Sequence, residues 1–160
     1  MEDEKNMTSE FQALNKNFTN AVLDVIVTMT GMEPDLLAEA IKDENTGGIS
    51  ASMTLVSSRN ILATLGMQEE AARFLVSYMT GLSEAELTGE DLCDGIAELV
   101  NMICGRAKTF LADTEFGFKL TSPFVIIGDS YRIVQKKNVV KQIKSFHVGE
   151  HVITWELAFP

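Results

Sequence analysis

Residues 98–108 read Glu98-Leu-Val-Asn101-Met-Ile-Cys-Gly105-Arg-Ala-Lys108, a pattern that predicts the middle of an amphipathic helix. At about 100° per residue, apolar side chains collect on one side: Leu92, Ile96, Leu99, Val100, Ile103, Ala107 and Phe110. Polar or small residues collect on the other side: Asp94, Glu98, Asn101 and Gly105. Thr88 stands just before two acidic residues and fits an N-cap, so we predict a helix over residues 89–112.

Two residues on the polar side of this helix are unfavourable choices for a helix. The short amide of Asn101 competes with the backbone for hydrogen bonds. Gly105 costs about 1 kcal/mol relative to alanine at an exposed site in a helix interior. Because neither residue helps the helix to form, the pair indicates a surface shaped for something outside the chain. A single Asn and a single Gly on a solvated face also occur by chance, and geometry alone leaves that alternative open.

The segment around Glu98 and Asn101 resembles the signature of the CheC/CheX/FliY family of chemotaxis phosphatases, in which Glu-x-x-Asn is followed by a small residue and Ala-Lys. The matching positions are Glu98, Asn101, Met102, Ile103, Gly105, Ala107 and Lys108. A weaker resemblance runs from the first amphipathic helix to residues 123–128, and so covers most of the chain. The layout resembles CheX most, because the longer CheC-type members carry two Glu-x-x-Asn helices and this chain carries one.

The resemblance implies a phosphatase that hydrolyses the aspartyl phosphate of a CheY-like response regulator, in chemotaxis or related two-component signalling. Asn101 would enter the active site of the regulator and orient the attacking water, and Glu98 would pair with the lysine near the phosphate. Mg²⁺ would belong to the phosphorylated receiver, this chain would hold no cofactor, and the family likeness implies a homodimer. Asp94, Gly105 and Lys108 lie on or beside the same helix face and are expected to contact the partner.

The remaining patterns predict an α+β fold, with about three helices packed against an antiparallel sheet. Apolar residues at steps of three and four predict a helix over 9–30. A second helix is predicted over 68–81, because Glu69 and Glu70 lie in its first turn and Gly81 marks its end. Strands are predicted at 36–42, 49–55, 59–65, 123–127, 139–148 and 151–159, the last two joined by Gly149-Glu150. A helix remains the alternative over 59–65, and a dimerising coiled coil is the alternative use of the first helix.

The composition is that of an ordinary globular protein. With 160 residues, 46% hydrophobic and 22% charged, it predicts one domain over residues 1–160, with the first eight weakly ordered. The net charge of −10 argues against non-specific binding to nucleic acid or to an anionic membrane. The chain has no run of about 18 apolar residues, so no membrane-spanning helix is predicted. The acidic N-terminus lacks the apolar run of a secretory signal, and we therefore expect a cytoplasmic protein.

Other kinds of chemistry find little support. His147 and His151 lie on the two strands of the predicted hairpin and point to opposite faces, so no joint metal site is expected. Cys93 and Cys104 lie about 16 Å apart along one helix and are predicted to be reduced, half-buried packing residues. The sequence contains no phosphate-binding loop, dinucleotide-binding turn or nucleophile elbow.

Two other functions remain open on the sequence alone. A non-enzymatic adaptor of the same fold would bind a receiver domain or another signalling protein without hydrolysis, although it has no chemical need for Asn101. An unrelated α+β domain that binds a small molecule would show no affinity for receivers. Gly95 also fits two explanations, because a glycine there makes room either for a partner or for close packing against this chain's own elements.

Overall fold

The computed structural model describes residues 2–41, 46–131, 133–134 and 138–159. Within these ranges the helices are α1 (Glu2–Thr30), α2 (Glu69–Thr80) and α3 (Gly89–Phe110). The strands are β1 (Asp35–Leu36), β2 (Thr46–Val56), β3 (Ile61–Met67), β4 (Lys119–Leu120), β5 (Phe124–Tyr131), β6 (Val140–Val148) and β7 (His151–Phe159). Three helices with an antiparallel sheet of seven strands confirm the predicted α+β class.

All the strands belong to one sheet in the order β1-β6-β7-β3-β2-β4, and β5 also pairs with β2. Strand β4 pairs with Leu55 and Val56 at the end of β2. Strand β5 pairs with an earlier part of the same edge, where Ile49 lies opposite Ile127. As a result, β5 is the outermost strand along that part of the sheet, as far as the described residues show.

The core lies between one face of the sheet and the helices. Side chains alternate along β7, so that Ile153, Trp155 and Leu157 are all buried. The ring of Phe18 on α1 stacks on Trp155, with 5.7 Å between ring centroids. The apolar stripe of α1 faces the core, where the buried side chains are Leu14, Phe18, Ala21, Val22, Val25 and Ile26. The stripe therefore packs inside this chain, and the coiled-coil alternative is not what the structure shows.

The helical alternative for residues 59–65 is wrong, because β3 runs antiparallel to both β2 and β7. The terminal hairpin is confirmed in its register, with Val148 opposite His151. Gly149 turns the chain at φ 60°, a backbone conformation that favours glycine. Helix α1 begins at Glu2 rather than at residue 9. The weak order predicted for the first eight residues stays a prediction.

The predicted strand at 36–42 is wrong for most of its length. Strand β1 contains only Asp35 and Leu36, and residue 42 lies outside the described residues. After β1 the main-chain N–H of Leu37 donates to the carbonyl of Ser145. The main-chain N–H of Ile41 donates to the side-chain hydroxyl of the same serine at 3.0 Å. Because two residues four apart bond to the same serine of β6, the chain loops there instead of extending along the sheet.

Candidate active site on helix α3

The N-terminus of α3 is held by a capping box. The hydroxyl of Thr88 accepts a hydrogen bond from the main-chain N–H of Asp91, and the Asp91 carboxylate accepts one from the N–H of Thr88 at 2.8 Å. The main-chain and hydroxyl donors of Thr88 lower the pKa of Asp91 below its ordinary value. The predicted N-cap is therefore confirmed, and the helix ends at Phe110, two residues before the predicted boundary.

The loop that leads into α3 is tied to α2 by Arg73. Its guanidinium donates to the carbonyls of Glu84 at 3.1 Å and of Leu87 at 2.9 Å, and it forms an ion pair with Glu69 at 2.7 Å. These bonds fix the point at which α3 begins relative to α2. The spacing of Glu69 and Arg73 could have indicated their ion pair, but no residue pattern marks the bonds from Arg73 to the carbonyls of Glu84 and Leu87.

One flank of α3 packs against the other two helices. The guanidinium of Arg106 is ion-paired with Asp24 on α1. A Cβ placed on Gly95 would lie 2.5 Å from Cγ2 of Val76 on α2, a distance that real Cβ atoms essentially never show. Gly95 is also buried. Of the two explanations for Gly95, the structure therefore supports close packing within this chain, and the partner-approach explanation is wrong.

Phe110 departs from the helical wheel. It was placed on the apolar side of the predicted helix, but 41% of it is exposed. Phe110 is the last residue of α3, where the helix ends at the surface. The guanidinium of Arg106 lies over that ring at 5.5 Å from its centroid, which gives the aromatic side chain a cationic partner at the surface.

The opposite side of α3 faces solvent and carries the predicted site. Glu98 and Asn101 are both exposed, and Nδ2 of Asn101 donates a long hydrogen bond of 3.4 Å to Oε2 of Glu98. Within the described part of the chain, the amide oxygen of Asn101 accepts no hydrogen bond. The carboxylate therefore engages the NH₂ end of the amide and leaves its carbonyl oxygen available to an incoming molecule.

The three residues expected to contact a partner lie on the same side. Asp94 and Lys108 are exposed, and Gly105 is half-buried. A Cβ placed on Gly105 would meet nothing within 4 Å, so this glycine is not needed for packing inside the chain. Gly95 and Gly105 thus have opposite surroundings, and only Gly105 leaves space on the face that carries Asn101.

The two cysteines differ more than predicted. Both cysteines belong to α3. Cys93 is half-buried, as expected, but the side chain of Cys104 is completely buried. Desolvation raises the pKa of the Cys104 thiol to about 12, which keeps it in the unreactive protonated form. The prediction of a half-buried Cys104 is therefore wrong, because a position on the helical wheel does not show how far the rest of the fold covers that flank of the helix.

His147 and His151 do not converge on a common site. His147 lies opposite Val152 and His151 opposite Val148, so the two side chains point to different faces of the sheet. In the part of the chain that the structure describes, no group of three or more His, Cys, Asp or Glu residues is arranged to hold a metal ion. The helices in these ranges also include none with the length and apolar character that crossing a membrane requires.

The fold is similar to those of solved CheX, CheC-like and FliY proteins. A CheX chemotaxis protein from Vibrio vulnificus is 23% identical, with a TM-score of 0.80 over 92% of this chain and 96% of that one. CheX in a CheX–CheY–BeF3–Mg²⁺ complex from Borrelia burgdorferi is 22% identical, with a TM-score of 0.75 over 90% and 96%. Thermotoga maritima FliY is 14% identical, with a TM-score of 0.65 over 98% and 90%. At these identities the likeness shows the fold.

The family model for the chemotaxis phosphatase CheX matches residues 49–147, which is more than half of the chain and includes all of α3. The chain belongs to the CheX family of chemotaxis phosphatases, and it is therefore an enzyme. Comparison with curated proteins gives no match. The resemblance seen in the Glu-x-x-Asn segment is thus confirmed at the level of the family.

Proposed function

We propose that this chemotaxis phosphatase hydrolyses the aspartyl phosphate of a CheY-like response regulator, with Glu98 and Asn101 as its catalytic residues. The observation that carries the proposal is the exposed amide of Asn101, whose oxygen accepts no hydrogen bond from the described residues while its NH₂ group donates to Glu98. A partner of the CheY type is supported by the Borrelia burgdorferi complex, in which a protein of the same fold is bound to CheY with BeF3 and Mg²⁺.

Hydrolysis of an acyl phosphate depends on placing a water molecule in line with phosphorus and stabilising the charge on the equatorial oxygens. The carbonyl oxygen of Asn101 is suited to accept a hydrogen bond from that water. An amide does not change its protonation, so it can position water over a wide pH range. Mg²⁺ in the receiver would neutralise the charge on the phosphate, and Asn101 would contribute the position of the water.

Glu98 has two roles in this proposal. One carboxylate oxygen orients the amide of Asn101, and the other remains free to pair with the lysine near the receiver's phosphate. Because Glu98 and Asn101 lie one turn apart on a helix anchored at its N-terminus, the ion pair would also set the angle at which α3 enters the receiver's site.

Asp94, Gly105 and Lys108 form the rest of the proposed docking face. Asp94 and Lys108 supply one charge of each sign, about 21 Å apart along the helix. Gly105 lies between them and leaves its backbone open to close approach by a loop of the receiver.

The proposal includes a homodimer in the cytoplasm, where a receiver would be phosphorylated. The stripe of α1 is buried in the core, which favours a sheet edge as the dimer interface. Light scattering at micromolar concentration tests this part separately, and the mass of a monomer would reject it.

The test of the catalytic assignment is the lifetime of a phosphorylated CheY-like receiver with each variant. Asn101→Ala is expected to lose about 10²-fold in turnover, the effect of removing one well-positioned group. Glu98→Ala should weaken both binding and turnover. Asn20→Ala is a matched control, because Asn20 is also an exposed asparagine within a helix. Full activity of Asn101→Ala would refute the assignment, and binding without a shorter lifetime in the wild type would identify an adaptor.

A further inference from the structure

Helix α2 carries an aromatic surface on the side that faces away from α3. Val76 is the residue of α2 that packs against Gly95 of α3. Phe74 and Tyr78 lie two positions before and two positions after Val76, which places both on the opposite side of the helix. Their rings meet edge to face with 5.3 Å between centroids, and Tyr78 is 49% exposed. A partner bound to these rings would therefore sit on the far side of α2 from α3.

Two other parts of the chain extend this surface. The ring of His151, the first residue of β7, lies 4.6 Å from that of Phe74 between centroids. A Cβ placed on Gly149 in the hairpin turn would lie 3.7 Å from Cζ of Phe74 and 3.9 Å from Sδ of Met32, so both side chains adjoin the turn. Met32 follows α1 by two residues. The four side chains Met32, Phe74, Tyr78 and His151 thus form one surface, here called the α2 patch.

Three exposed carboxylates border the α2 patch. Glu33 and Glu150 are neighbours of patch residues along the chain. Glu70 lies one turn before Phe74 on α2. Within the described ranges, none of the three carboxylates has an ion-pair partner. Their charges are therefore available to a molecule that covers the rings.

Basic groups are scarce around the patch. The chain has no Lys or Arg over residues 29–41, 74–91 and 145–159, which contribute to the patch or surround it. The guanidinium of Arg73 on α2 is engaged by Glu69 and by two main-chain carbonyls. Helices α1 and α2 both end near the patch with no basic residue in the last turn, so no cation offsets the partial negative charge of their carbonyl ends. The charge around the patch is therefore of one sign.

We propose that the α2 patch binds a basic amphipathic segment of another protein. Charge complementarity selects this occupant, because the border offers unpaired carboxylates and the faces of exposed aromatic rings attract Lys and Arg side chains. The rings and the thioether of Met32 supply the apolar contact for the other side of the segment. This second docking surface lies across α2 from α3, so the proposal does not depend on the catalytic role of Asn101.

The experiment is an NMR titration of the isotope-labelled full chain with a short amphipathic peptide of Leu and Lys. The ring signals of Phe74, Tyr78 and His151 should shift as the peptide binds. Tyr78→Ala should raise Kd about tenfold, whereas Tyr78→Phe keeps the ring and should bind like the wild type. The matched control is Phe124→Ala on β5, because Phe124 is also 49% exposed, and its Kd should equal that of the wild type.

A second pair of variants separates the border of the patch from the net charge of the chain. Glu150→Gln should raise Kd about threefold, and Asp113→Asn, which removes an exposed carboxylate just after α3, should leave it unchanged. A peptide with Glu in place of Lys should not bind. The proposal is overturned if the Lys peptide does not bind, if it shifts only signals outside the patch, or if the two carboxylate variants weaken it equally. A drop from dimer to monomer mass in Tyr78→Ala would assign the patch to a second copy and also overturn it.

Discussion

Helix α3 contains two glycines ten residues apart whose replacement by alanine should change stability in opposite directions. In a helix interior the change from glycine to alanine gains about 1 kcal/mol. At Gly105 the added methyl meets nothing within 4 Å, so the whole gain should appear. For a chain of this size that corresponds to a rise in Tm of about 2–4 °C.

At Gly95 the same methyl would lie 2.5 Å from Cγ2 and 2.8 Å from Cγ1 of Val76. Because both methyl groups of the valine are too close, a single rotamer change does not relieve the contact, and α2 must move away from α3. Overpacking of this kind costs about 1–3 kcal/mol. After the helix gain is subtracted, the net loss for Gly95→Ala is up to about 2 kcal/mol, so the two variants should differ by about 1–3 kcal/mol, or about 2–12 °C in Tm.

Thermal unfolding followed by far-UV circular dichroism measures both variants, and the dephosphorylation assay measures their activity. Gly105→Ala should be more stable than the wild type yet slower, because the methyl stands where the receiver approaches the helix. A Gly95→Ala variant stabilised to the same extent as Gly105→Ala would contradict the α2–α3 packing. A stabilised Gly105→Ala with undiminished turnover would reject the docking role of Gly105.

Two further predictions concern the cap and the buried thiol. Thr88→Ala should cost about 1 kcal/mol at pH 7 by breaking the capping box, whereas Thr88→Ser keeps it. Because hydrogen bonds from Thr88 lower the pKa of Asp91 below 3.8, the ionised Asp91 stabilises the folded state above pH 3.8. The difference in unfolding free energy between Thr88→Ala and Thr88→Ser, measured in urea, should therefore shrink as the pH falls below 3.8. Alkylation at pH 8 should label Cys93 in the native protein and Cys104 only in denaturant. Labelling of both cysteines in the native protein would contradict this prediction. Because the Cys104 pKa is raised from 9.0 to about 12, the unfolded state loses its proton first, and folding stability should fall between these pH values.

The features that the amino-acid pattern predicted are those that depend on neighbours along the chain. Helical periodicity and caps located α3 to within two residues, and period-two alternation located β2, β3 and the terminal hairpin. The exposed positions of Glu98 and Asn101 follow from the same periodicity, because a helix fixes which residues share a face. Their catalytic roles stay a proposal, because residue type and exposure do not by themselves show chemistry.

Contacts between distant parts of the chain decided the rest. Strands β1 and β4 have two residues each, too few to show a period, and they exist because β6 and β2 offer them partners. The chain has the same residue at 95 and 105, yet only the position of Val76 on another helix makes one a packing residue and leaves the other open. Ile127 resembles any strand residue in the sequence, and its exposure arises because β5 is an outer strand among the described residues. Burial is set by what packs across the fold, and for these positions that information is not local.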